Sequence, residues 1–148
     1  MIFVRTDSSN REFEILVKDL DADLKIRDGD EHSFYAQFNK IDLIRHVIVA
    51  YDEQIPVGCG AIKEFSADTM EVKRMFVPIS ERGKGIASAV LENLEDWCRE
   101  LGYKKCVLET GKQQPEAIKL YLKNDYVITP NYGQYAGKEN SVCFEKAL

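Results

Sequence analysis

The chain has 148 residues, 45% hydrophobic and 30% charged, the size and balance of one soluble globular domain, 1–148, with a substantial core. Its net charge of −5 argues against general nucleic-acid binding, and no apolar run approaches the length of a membrane span. The N-terminus shows no basic segment followed by an apolar core, so no signal peptide is visible and a cytoplasmic location is expected.

Ile2-Phe3-Val4 opens a first strand. Ser9-Asn10-Arg11-Glu12 fits a capping box, with Ser9 at the cap and Glu12 three residues later. Phe13, Leu16, Val17, Leu20 and Leu24 then recur at helical spacing until Asp28-Gly29-Asp30 stops the helix. Residues 34–38 read as a short second helix or loop. Strands follow at 46–51, 56–65 and 69–77, separated by turns at 52–54 and 66–68 and ended by Pro78, the short-turn pattern of an antiparallel meander. Gly58 and Gly60 fall on one face of their strand, which admits a ligand or another backbone, or marks a bulge.

A helix from Gly85 places Ile86, Val90, Leu94, Trp97 and Leu101 on its buried face, with Glu92, Glu95, Arg99 and Glu100 toward water and Gly102 as its stop. Residues 105–109 form a strand, parallel to the central one because a helix crosses between them. Pro115 opens a last helix that runs to about Asn124. Final strands lie at 126–128 and 141–146, around a polar, tyrosine-containing loop at 131–140. Cys59, Cys98, Cys106 and Cys143 sit in apolar runs without zinc-site spacing and read as buried free thiols; no metal site is expected.

The segment Arg82-Gly83-Lys84-Gly85-Ile86-Ala87 lies between the central strand and the following helix. The first N–H groups of a helix have no internal partner, and its dipole is positive there. Glycines leave those groups open to a phosphate, and Arg82 and Lys84 add charge. A P-loop is excluded because Lys84 is followed by Gly85 and Ile86, with no hydroxyl for Mg²⁺. A dinucleotide fingerprint is excluded because position 88 is Ser and the loop comes too late to open a Rossmann unit.

The spacing Arg82-x-x-Gly85-x-Ala87 resembles the Gln/Arg-x-x-Gly-x-Gly/Ala signature of the GNAT family of N-acetyltransferases. Residues 71–77 look like that family's fourth strand. Leu108-Glu109, Ala117 and Leu120-Tyr121 look like the strand-to-helix segment of its protein N-terminal acetyltransferases. These matches cover residues 56–126, about half of the chain. The resemblance implies an α/β (α+β) fold, a mixed, mostly antiparallel twisted sheet with helices on both faces. It implies acetyl-coenzyme A as cosubstrate, contacted by Met75, Phe76, Val77, Arg82, Gly83, Lys84, Gly85, Ile86, Ala87 and Gln114. Gln114 stands where the family often has Asn, and Asp125 where it usually has Gly. Asp is among the residues least penalised in the left-handed conformation a helix stop requires.

Acetyl transfer to an amine needs a base for the amine, a proton for the leaving thiolate and a donor for the carbonyl oxygen. Backbone N–H groups at 75–77 suit the last role if the strand parts from its neighbour. Tyr121 is the candidate acid, with a core aromatic as the alternative. Glu109, at the end of the apolar run Cys106-Val107-Leu108, is the candidate base, because burial raises a carboxyl pKa toward neutrality. Glu71 is the rival base, a water chain a further possibility, and a surface glutamate the bland alternative for Glu109. His32 and His46 show no partner pattern. Asp28, Asp30 and Glu31 fall where this family shapes its acceptor site, and either attract a cationic amine or form a solvated loop. The expected activity is acetyl transfer to a primary amine, of a small molecule or a protein N-terminus, by a monomer or homodimer without nucleic-acid or membrane partners. The alternatives are a non-catalytic acyl-coenzyme A sensor and an acyltransferase with a longer acyl donor.

Overall fold

The computed structural model describes residues 1–37 and 44–148; Phe38, the last residue of the expected second short helix, lies outside them. The strands are β1 (Ile2–Thr6), β2 (His46–Asp52), β3 (Ile55–Ser66), β4 (Thr69–Phe76), β5 (Lys105–Gly111), β6 (Val127–Thr129) and β7 (Ser141–Ala147). They form one sheet in the order β1-β2-β3-β4-β5-β7-β6. Among the described residues only β4 and β5 pair in parallel, across the helix that joins them. The helices are α1 (Arg11–Asp28), α2 (His32–Ala36), α3 (Ile86–Glu100) and α4 (Pro115–Lys123).

Alternation along β2 divides the core. Ile48 and Ala50 face the cluster under α3 and α4, while Val47 and Val49 face Phe13, Leu16, Val17 and Leu20 of α1. Gly58 and Gly60 serve the first face. A Cβ on Gly60 would stand 2.5 Å from Met75 Sδ and 2.9 Å from Leu94 Cδ1, and one on Gly58 would stand 2.8 Å from Ile86 Cγ2. The glycines therefore let α3 and Met75 lie close on β3, rather than admitting a ligand.

Two local expectations are corrected. The cap of α1 is Asn10, whose Oδ1 accepts from the Phe13 N–H at 2.9 Å; Ser9 instead donates to Asp7. Asn caps as well as Ser does, and the upstream Asp7 takes the serine away. On α3, Glu95 is buried and Leu101 is exposed. Tyr126 donates to one Glu95 oxygen at 2.8 Å and Lys146 to the other at 2.9 Å, so the buried carboxylate is partnered. Leu101 is the residue past the last turn, and Trp97 is half-buried beneath the Arg5 guanidinium. The four cysteines are buried free thiols, as expected. Asp125 takes the stop after α4 with φ 71°.

Candidate active site

A cleft begins with one extra residue in β4. Cys59 pairs with Phe76, but Ala61 pairs with Lys73, so β4 is one residue longer than β3 across this interval. The excess is a bulge at Arg74, with φ 58°, a conformation an L-residue holds only when its surroundings fix it. Its side chain is 1% exposed and ion-paired to Asp21 of α1. A bulge bends and twists its strand. Accordingly β4 and β5 pair only from Thr69–Lys105 to Glu71–Val107. Beyond those residues the strands part, and a cleft of about 480 Å³ runs between them. Among the described residues the β5-facing edge of 72–76 has no strand partner, which leaves main-chain groups turned toward the cleft.

One end of the cleft is the loop into α3. Gly83 and Gly85 have φ 81° and 80°, where any other residue is strained, and nothing stands within 4 Å of where a Cβ would be. Gly85 is the N-cap and offers no side chain, so the first N–H groups of α3 stay open beside the cleft wall formed by Ile86 and Ala87. Arg82 lines the same wall and donates from Nε to the Val77 carbonyl at 2.8 Å, tying the loop to the end of β4. Gln114, the residue before α4, also lines the cleft, as do Lys119 and Lys123. Lys84 is not on the cleft wall; its ammonium pairs with Glu81 at 2.9 Å, three residues back. An open helix N-terminus, uncluttered glycines and flanking cations fit a pyrophosphate.

Tyr121 and Glu109 reach the same cleft. Tyr121 is buried against Tyr126 and Phe144, with ring centroids 5.8 and 5.7 Å away, and its hydroxyl has no hydrogen-bond partner among the described residues. Burial, then the charge of Glu109, push its pKa up, so it stays a proton donor. Burial pushes the Glu109 carboxyl up to about 7 against the lowering influence of the Ser141 hydroxyl, and Asp28 and Glu71 add to the rise. Glu71 also lines the cleft but is engaged: the Tyr132 hydroxyl donates to it at 2.6 Å and Lys73 lies at 3.7 Å.

The other end of the cleft was poorly visible in the sequence. Of the acidic trio, only Asp28 turns inward, while Asp30 and Glu31 are exposed. Tyr35 and Tyr135 line the wall beside it, stacked with centroids 6.4 Å apart. Tyr35 shares a 2.9 Å hydrogen bond with Ser141. His32 lies 3.8 Å from Asp28, and His46 packs edge-on against Trp97 away from the cleft. The tyrosines lay in a short helix and an irregular loop, without a motif to join them.

A model of the acetyltransferase (GNAT) family matches residues 11–126. An IAA acetyltransferase of Azospirillum brasilense is 38% identical over 102 residues, 68% of this chain and 67% of the relative. The N-acetyltransferase YsnE of Bacillus subtilis, itself uncharacterized, is 33% identical over 93 residues, 62% of each chain. Among solved structures, a candidate acyl-CoA N-acyltransferase from Klebsiella pneumoniae superposes with a TM-score of 0.83 at 26% identity, covering 99% of this chain and 97% of the other. The PaiA N-acetyltransferase of Thermoplasma acidophilum, in complex with coenzyme A, gives 0.72 at 17% identity with full coverage of both chains, a likeness of fold.

Proposed function

The chain belongs to the acetyltransferase (GNAT) family, and on that premise we propose that residues 1–148 form one domain using acetyl-coenzyme A to acetylate a primary amine. The observation that carries this reading is the cleft between β4 and β5, which holds an anion cradle at one end and Tyr121 and Glu109 on its wall. Residues 82–87 bind the pyrophosphate through backbone donors, with Gln114 and the lysines of α4 across from them. Acetyl-coenzyme A supplies the acyl thioester. Main-chain N–H groups at 75–77 donate to the carbonyl oxygen as negative charge builds on it. Glu109 takes the proton of the attacking amine, for which a carboxyl pKa near 7 is suited. A nitrogen–carbon bond forms, the carbon–sulfur bond breaks, and Tyr121 gives its proton to the leaving thiolate.

Glu109 is preferred to Glu71 as base because Glu71 already accepts a short hydrogen bond from Tyr132. A non-catalytic acyl-coenzyme A sensor would have no use for a protonated Tyr121 hydroxyl on the cleft wall with no partner among the described residues. The test combines two measurements on the purified protein. Acetyl-coenzyme A should raise the melting temperature by mass action, and an amine panel should release free thiol. Stabilisation without thiol release from any amine would favour the sensor.

A further inference from the structure

The two ends of the cleft carry opposite charge. Arg82, Lys119 and Lys123 outnumber Glu81 and Glu116 at the loop end, whereas Asp28, Glu71 and Glu109 line the end below α1 and α2. Three described cations near that second end face carboxylates. Lys73 faces Glu71, Arg74 is paired with Asp21, and Arg27 is paired with both Asp23 and Glu116. The Asp28 side chain is 8% exposed and forms part of the cleft wall, with the His32 imidazole 3.8 Å away. Taking a carboxylate out of water is costly, and a cationic donor from the cleft would offset that cost. The stacked rings of Tyr35 and Tyr135 line the same end, and aromatic faces attract an ammonium. A substrate carboxylate would meet three acidic groups there.

We propose that the acceptor is a linear diamine, held by its second ammonium on Asp28 between Tyr35 and Tyr135 while its first amine is acetylated beside Glu109. This rests on the N-acetyltransferase reading and adds the substrate class. The bond changes are those given above: the amine proton goes to Glu109, the acetyl group moves from sulfur to nitrogen, and the distal ammonium is unchanged.

The test holds chain length fixed and varies the far end. Thiol release from acetyl-coenzyme A is measured with 1,4-diaminobutane, butylamine and 4-aminobutanoate, and with the six-carbon analogues. For at least one length, kcat/KM for the diamine should exceed that for the monoamine by about ten- to a hundredfold, the worth of one charge-assisted hydrogen bond. The amino acid should be poorest. Asp28→Asn should remove most of that preference, chiefly through a higher KM for the diamine, and Asp28→Glu should keep part of it. The glutamate variant also keeps the test open if the asparagine variant fails to fold. Equal rates for diamine and monoamine, a preferred amino acid, or an Asp28→Asn enzyme with undiminished preference would overturn the proposal. A protein that acetyl-coenzyme A stabilises but that turns over no amine of the panel would overturn it too. A protein that acetyl-coenzyme A does not stabilise would overturn the acetyltransferase reading beneath it.

Discussion

The loop end of the cleft is made from main chain, and the far end from side chains. Between 82 and 87 the proposed recognition elements are N–H groups and two left-handed glycines, so the identity of most side chains there would matter little. The far end takes Asp28 and Tyr35 from the first helices, Glu71 and Glu109 from two strands, and Tyr135 from the loop before β7. A backbone site is robust to most substitutions but fails wherever a required conformation is lost. A side-chain site degrades gradually and can be retuned residue by residue. The first arrangement suits a constant group such as a pyrophosphate, and the second suits a variable acceptor.

That contrast can be broken most sharply at Gly85. Gly85→Val forces a β-branched residue to φ 80° and fills the cradle. The melting shift with acetyl-coenzyme A should vanish and kcat/KM should drop by about a thousandfold or more, while far-UV circular dichroism stays that of the parent. Tyr121→Phe removes one hydroxyl and keeps the packing. We expect kcat to fall by about tenfold to a thousandfold with the cofactor-induced melting shift retained. Parent-like turnover would make Tyr121 a core aromatic.

Glu109→Gln should abolish the acidic limb of the kcat/KM pH profile, which in the parent rises through about pH 7, with partial recovery at high pH where free amine abounds. Glu71→Gln should keep the limb. The same residue gives a stability signature. Its folded pKa lies above the unfolded value of 4.5, so the folded state holds the proton more tightly. Its contribution to stability is therefore fully present at and below about pH 4.5 and is lost as pH rises through 7, by up to about 3 kcal/mol. Glu109→Gln should flatten that part of the curve, as read by urea midpoints from pH 4.5 to 8.

Smaller effects are expected where the bulge is pinned. Asp21→Asn leaves the buried Arg74 guanidinium without its anion and should cost about 1–3 kcal/mol in urea unfolding, with some loss of activity as β4 relaxes toward β5. Gln114→Ala should change kcat/KM by only a few-fold, since one neutral side-chain contact is at stake.

The same contrast explains what could be read from the residues. The meander, the parallel crossover, the Gly102 stop and the left-handed Asp125 all follow from local spacing and turn chemistry, which sequence records directly. The loop was legible for the same reason: residues 82–87 are contiguous. The Arg74 bulge left no trace, because an arginine in an apolar strand gives no sign of positive φ, and its cause lies in a pairing with Asp21 on another helix. Glu95 looked like a surface position because helical periodicity cannot see Tyr126 and Lys146 arriving from elsewhere. The inward turn of Asp28, away from Asp30 and Glu31, is likewise a tertiary fact.

The most direct test of the account is thiol release from acetyl-coenzyme A in the presence of an amine, followed in parallel for the parent, Gly85→Val and Tyr121→Phe. The account predicts amine-dependent release in the parent with acetylated amine as the product, none above background in Gly85→Val, and slow release in Tyr121→Phe with cofactor binding retained. Amine-dependent release at the parent rate in both variants would contradict it.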